Sequence, residues 1–402
     1  MRWTLVRLAL VFLLMTGCVG VVAAGSQPDA ATMPDAGLAL DAGVGPGEDG
    51  GELGVGDAGA NPLPAWLVGA PVNEWRAITG TAGPSMLGDY SGVALRVEPG
   101  LVEAFVGAAG GHASSANSLD NSVMTIDLDE GAPAWKTRRG PSDPTGFAPA
   151  TMAIFPSDGA PAPRHLYEDV TWSPEAGAYI IGGRFLVGSY DTRATYFGFR
   201  PTTLSWSRLA DRPLDGVTYS ARDPVSGRFY STQGFQYDPV TNVHSTWPLS
   251  GTAPVNRMSS AVDTRRRAIF NLSFGDGWSE STTPLVATSI SLPGGAKTAI
   301  TFAPSPGLTS LLGEVIDDWL CASVEYNPDL DVFYFYSGYR TKNLYVITPN
   351  DGPTWSIEML AVAGSAPPDM YGTALNKLRY ISPYKALVLF LPGADIHFLR
   401  TE

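Results

Sequence analysis

One phrase returns six times along this chain: a turn, often with Pro, then three to five apolar residues, then Gly closing the run. It occupies residues 97–111, 173–183, 223–234, 263–275, 327–338 and 382–393. After the glycine comes a second signature, made of an apolar run, a turn of Asp, Pro, Asn or Gly, and a run carrying Trp. It reads 123–128 to Trp135, 196–199 to Trp206, 235–237 to Trp247 and 344–347 to Trp355; the fourth unit has 287–292 and 300–302 with no Trp. Short runs rich in Val, Ile, Tyr and Phe and bounded by turn residues are strands, not helices.

Two hairpin-like signatures per unit give four antiparallel strands, and a strand-built unit recurring along a chain predicts a β-propeller. The expectation is therefore an all-β protein: a six-bladed β-propeller of four-stranded antiparallel blades, closed by an N-terminal strand that completes the C-terminal blade. The blades fall at 88–140, 164–212, 216–251, 256–306, 318–366 and 370–402, the last completed by 68–82. The final unit stops at Arg400 without a Trp-bearing fourth strand, whereas residues 73–78 have that character and stand alone before the first unit. Zipping the two together removes two exposed strand edges, which otherwise invite aggregation. Residues 141–163, rich in Pro and Gly, read as a loop and not as a seventh unit.

Glycines at the end of the second strand and spaced aromatics in the third and fourth resemble the kelch repeat family, of the galactose oxidase central-domain type, over residues 68–402. The paired glycines stand at Gly110-Gly111 and Gly182-Gly183, while Gly234, Gly275, Gly338 and Gly393 are single. Some kelch-related oxidases hold copper through Tyr, His and a Tyr cross-linked to Cys, which directs attention to His112, His165, His244, His397 and Cys321. No His pair has close ligand spacing, so neither a metal nor a cofactor is expected.

The N-terminus reads as an export signal: Arg2 and Arg7 precede an apolar core, 8–15, too short to span a bilayer. Met15-Thr16-Gly17-Cys18 resembles the lipobox of bacterial lipoproteins, which implies a lipid on Cys18, a cell-envelope location and, with Val19 following, the outer membrane. Residues 18–62 are Ala, Gly, Asp and Pro with almost no large apolar side chains, so they form a tether instead of a core. The third segment, 63–402, is the folded domain. Once Cys18 is lipidated only Cys321 remains, and one thiol closes no internal disulfide. A net charge of −13 repels phosphate backbones and excludes nucleic acid as a partner. The chain reads as a monomer.

Function concentrates in loops carried on a rigid scaffold. The long polar segments, 112–122, 141–163, 184–194, 276–285 and 307–318, all fall on the crossover side of the units. Residues entering the innermost strands there are Arg164, His165 and Tyr167; Asp215; Asn256 and Arg257; Asp317, Asp318 and Trp319; Asp369 and Tyr371. Arg, acid and aromatic side chains converging on an axis suit a polar ligand. Because Arg164 and Arg257 belong to loops, their replacement by Ala is expected to leave stability unchanged. No Gly-x-Ser-x-Gly occurs, and Ser273-Phe-Gly-Asp-Gly-Trp278 resembles the sialidase Asp box without matching its spacing. The expectation is a surface-anchored binding or scaffolding module for protein or glycan on the crossover-loop face. The alternative is a carbohydrate-active enzyme, of the kelch-like sugar isomerase or oxidase type, using Arg164, Arg257 and an acid among Glu168, Asp215 and Asp317 at the channel mouth.

Overall fold

The computed structural model describes residues 63–88, 91–109, 119–147, 154–183, 186–187, 190–191, 195–211, 220–232, 234–250, 258–274, 285–313, 322–337, 342–368 and 376–402. The signal, Cys18 and the tether lie outside them. Everything below belongs to one compact unit, residues 57–402.

Strand β1 (Glu74–Ile78) opens the described fold. A four-stranded sheet follows in the order β2-β3-β4-β5: Ala94–Glu98, Leu101–Gly107, Val123–Asp127 and Lys136–Arg139. The next holds β6 (Val170–Ser173), β7 (Ala178–Ile181), β10 (Thr195–Arg200) and β11 (Ser205–Asp211), with a small ribbon of β8 (Leu186–Val187) and β9 (Tyr190–Asp191) between them in sequence. A third takes β12 (Ser220–Arg222), β13 (Phe229–Ser231), β14 (Phe235–Asp238) and β15 (Val243–Thr246). Then come β16 (Met258–Asp263), β17 (Ala268–Phe274), β18 (Leu285–Ser291), β19 (Lys297–Phe302) and the helix α1 (Pro306–Gly313). They precede β20 (Ser323–Asn327), β21 (Val332–Tyr336), β22 (Leu344–Thr348) and β23 (Thr354–Met359). The chain closes with β24 (Ala363–Gly364), β25 (Leu378–Ile381), β26 (Ala386–Leu389) and β27 (Ile396–Arg400).

The all-β expectation holds, but six separate four-stranded blades are not what forms. The eight strands β16 to β23 make a single sheet, and β1, β24, β25, β26 and β27 make a five-stranded one. The fusion has a local cause. The outer edges β19 and β23 pair in parallel, Thr301 with Thr354 and Phe302 with Trp355, extended by Thr301 N–H to Pro353 O at 2.8 Å and Ala303 N–H to Trp355 O at 2.8 Å. An unpaired edge is a row of open donors and acceptors, and here each edge satisfies the other. Helix α1 seals the seam: Ser305 Oγ donates to Ile357 O at 2.6 Å, and a Cβ on Gly307 would stand 2.5 Å from Glu358 Cα. Several four-stranded antiparallel sheets are compatible with a propeller; a ring of six discrete blades is not shown. The first and last strands do pair, antiparallel, with Arg76 opposite Phe398 and Ile78 opposite Ile396.

Burial runs in a gradient across each sheet. The middle strands β21 and β26 are buried at every residue, reading Val-Phe-Tyr-Phe-Tyr and Ala-Leu-Val-Leu, as strands covered on both faces must. The outer strand β5, Lys-Thr-Arg-Arg, has no buried residue. Aromatic pairs fill the gaps between strand groups: Phe105 stacks on Tyr179 at 4.2 Å, and Phe270 meets Phe333 at 4.6 Å across the two halves of the eight-stranded sheet. Such pairs add about 0.5–1.5 kcal/mol beyond their burial.

Candidate functional site

One strand from each of six groups, β2, β6, β12, β16, β20 and β25, lines a single cavity of about 310 Å3. These strands are each the free edge of a four-strand run, and side chains tie neighbours together. Ser259 Oγ on β16 accepts Val324 N–H of β20 at 2.7 Å, and Ser323 Oγ, at the corresponding place on β20, accepts Leu378 N–H of β25 at 3.3 Å.

Glu168 reaches into this cavity from just before β6. Its Oε1 accepts Ser260 N–H at 2.6 Å and its Oε2 accepts the Ser260 hydroxyl, so a carboxyl from one sheet is held by a strand 92 residues away. Burial pushes the carboxyl up to about 7, against the hydrogen bonds from Ser260 and the charge of Arg379, which pull it down. A group poised there exchanges its proton at neutral pH. The backbone beside it is held by close contacts. Tyr167 has φ 45°, and Cβ atoms on Gly92 and Gly183 would lie 2.1 Å from Tyr167 O and His165 O respectively. Glycine is required at both places so that neighbouring backbone can approach the 165–167 segment.

On the facing side Arg379 pairs with Glu325 at 3.1 Å. All three guanidinium nitrogens are engaged: Nε and Nη2 donate to Val93 O at 2.9 and 2.7 Å, Nη2 also to Asn376 Oδ1, and Nη1 to Glu325. Burial raises the Glu325 carboxyl, opposed by Arg379 and by Tyr380 N–H at 3.2 Å. Asn376 closes the network by donating to Tyr167 O at 2.9 Å. Arg222, also on the wall, is turned to Glu175, with Nε 3.2 Å from Oε2.

The residues expected from sequence are placed differently. Arg164 is fully buried, donates to Gly183 O at 3.1 Å and Thr195 O at 3.2 Å, and lies over the Phe197 ring at 4.5 Å. The expectation that it belongs to a solvated loop and tolerates Ala is thereby corrected: its guanidinium is part of the packing. His165 and Tyr167 are buried, with their rings edge to face at 5.7 Å. None of the three lines the cavity, whereas Glu168, one of the acids of the alternative reading, does. Asp215, Asn256, Arg257, Asp317, Asp318, Trp319, Asp369 and Tyr371 lie outside the described residues, as do Cys18, His112 and Cys321. Among the described residues no three His, Cys, Asp or Glu side chains come together as a metal would need.

Sequence reasoning missed Ser260, Glu325, Asn376 and Arg379. A signal was present: Glu325 and Arg379 are single charges set between apolar or aromatic neighbours inside the strands Ser-Val-Glu-Tyr-Asn and Leu-Arg-Tyr-Ile. A charge in a strand of that kind needs a partner.

No family model matches this chain, and no curated protein does. Among solved structures it is similar to YjhT, at 11% identity and a TM-score of 0.43, over 79% of this chain and 95% of that one. It is also similar to a candidate exo-β-1,3-galactanase from Bifidobacterium bifidum s17, at 11% identity and 0.42, over 70% and 98%. Likeness at this level carries neither the blade count nor an activity over to this chain. The class defined here is an all-β protein with a polar cavity among its inner strands.

Proposed function

We propose that this protein is a binding module for a glycan-type ligand and that the ligand enters the cavity between the six inner strands. The observation that carries this is the cavity itself: about 310 Å3, walled by Glu168, Ser260, Glu325, Asn376 and Arg379. Ligand sites are concavities of about 300–1,000 Å3 with a few convergent polar groups. A glycan array probed with the purified chain tests the reading. Binding that weakens in the Ser260→Ala variant supports it, and no binding to any glycan ends it.

A second reading, proton transfer on a bound sugar, is favoured by one observation, the Glu168 carboxyl at about 7 beside Arg379. Under it, Glu168→Gln abolishes turnover while binding persists; a ligand recovered unchanged from the wild-type protein leaves the binding module alone. Export and anchorage belong to the same proposal, on the strength of the 1–18 segment. Cys18→Ser then releases the protein from the membrane fraction, and retention in that fraction would count against a lipid.

A further inference from the structure

The charges that line the cavity narrow the ligand class. Among the described residues four charged side chains face it: Glu168, Arg222, Glu325 and Arg379. An anionic ligand would look for a guanidinium fork, since two parallel N–H donors match a carboxylate. Arg379 offers none, and Arg222 has only its Nη1 unengaged. Arg379 spends all three nitrogens on Glu325, Asn376 and the Val93 carbonyl, and Arg222 is committed to Glu175 through Nε and Nη2. The acids, by contrast, remain as acceptors, because each carboxyl oxygen has a further lone pair beyond its one protein donor. Among the described residues, a carboxylate brought into this cavity would meet two carboxyls and, of the cations, only the Nη1 of an Arg222 already neutralised by Glu175, and each wall carboxyl repels it when ionised. Hydroxyl groups meet the opposite situation: they donate to Glu168 and Glu325. Tyr326 and Tyr380 complete the wall, and their hydroxyls are held by Asp331 at 2.8 Å and Asp329 at 2.6 Å, so what they add to the wall is apolar ring.

From this, and resting on the cavity being the ligand site, we infer that the site takes an uncharged, hydroxyl-rich ring and rejects the same ring carrying a carboxylate. The Glu325–Arg379 pair is the discriminating element, because it occupies the Arg379 guanidinium while Glu175 already neutralises Arg222.

The test is calorimetric titration of the full chain at pH 7 with matched pairs: glucose and glucuronate, galactose and galacturonate, mannose and mannuronate. The expected result is that at least one neutral member binds and that its uronate binds about tenfold or more weakly, the factor that corresponds to about 1.4 kcal/mol. Glu325→Gln, and separately Glu325→Ala, should free Arg379 and bring the uronate to within about threefold of the neutral sugar. A thermal melt on each variant confirms that it is folded, and the wild-type comparison stands alone if either is not. A wild-type uronate that binds as well as its neutral partner overturns the inference and leaves the cavity as the site. Absence of binding by all six compounds overturns the cavity reading itself.

Discussion

The cavity wall and the turn belt beside it contain the same chemistry, arginine against carboxylate, with opposite outcomes. In the wall, the Glu168 and Glu325 carboxyls are pushed up because burial outweighs the help of Arg379 and of their hydrogen bonds. In the belt, where the inner strands turn outward, the Asp331 carboxyl is held well below its ordinary range by Arg266, which grips it through two bonds of 2.7 and 2.8 Å, with Tyr326 and Arg265 adding to the effect. The belt continues from strand group to strand group: Arg96 over Trp172 at 4.6 Å, Arg267 with Asp223 at 2.7 Å, Lys385 with Asp329 at 2.9 Å. Pairing alone does not decide the protonation of a carboxyl; the water left around it does. The belt ties neighbouring strand groups together, and in the wall burial raises the acids.

Four variants break or sharpen this contrast. Arg379→Ala strikes the wall hardest, because Glu325 and Glu168 lose their cation while still buried; a loss of about 3–4 kcal/mol in denaturant unfolding is expected. Glu168 gives the pH signature. Its folded value of about 7 lies above the ordinary 4.5, so its contribution is complete below about pH 4.5 and is lost as pH rises through 7. Wild-type stability from this group should fall by about 3 kcal/mol between pH 4.5 and 8, and Glu168→Gln should flatten that slope. An unchanged slope in Glu168→Gln would mean that the carboxyl is not desolvated.

The belt should respond less and with the reverse sign. Asp331→Asn is expected to cost about 1 kcal/mol at pH 7, with the difference from wild type vanishing as pH falls through the depressed value of Asp331, since a lowered carboxyl stabilises only while ionised. Melting at pH 7 and at pH 2 reads the cost and its narrowing between the two, with the disappearance completed only below pH 2. At the bottom of the scale, Arg76 and Glu74 form an open surface pair on β1, their side chains 44% and 29% exposed. Arg76→Ala should change stability by less than about 0.5 kcal/mol; a larger drop would show that β1 depends on charge as well as on buried Trp75.

Much of the strand inventory was legible because its signal is local. The runs around Val332–Tyr336 and Ala386–Leu389 are apolar throughout, and Asp223, Asp263 and Asn327 sit where a turn needs a side-chain acceptor: Asp223 Oδ1 takes Val225 N–H at 3.1 Å and Asn327 Oδ1 takes Asp329 N–H at 2.9 Å. The sheet count was not legible, since the parallel pairing of β19 with β23 depends on two outer edges meeting in space, which no periodicity records. The site was legible only at Glu168. Arg164 read as a loop cation because it falls on the crossover side of its unit, yet the chain folds it against Phe197 and two carbonyls, a burial that depends on segments remote from it in sequence.

The residues alone therefore determined that this chain is built from strands, where most of them begin, and which turns they pass through, because alternation, β-branching and turn chemistry act over a few neighbours. Tertiary structure alone decided that Glu168, Ser260, Glu325 and Arg379 share one cavity and that burial sets their charge. Desolvation and Coulomb interaction depend on what surrounds a group in three dimensions, and those surroundings come from segments as far apart as Tyr167 and Asn376, 209 residues from each other in the chain.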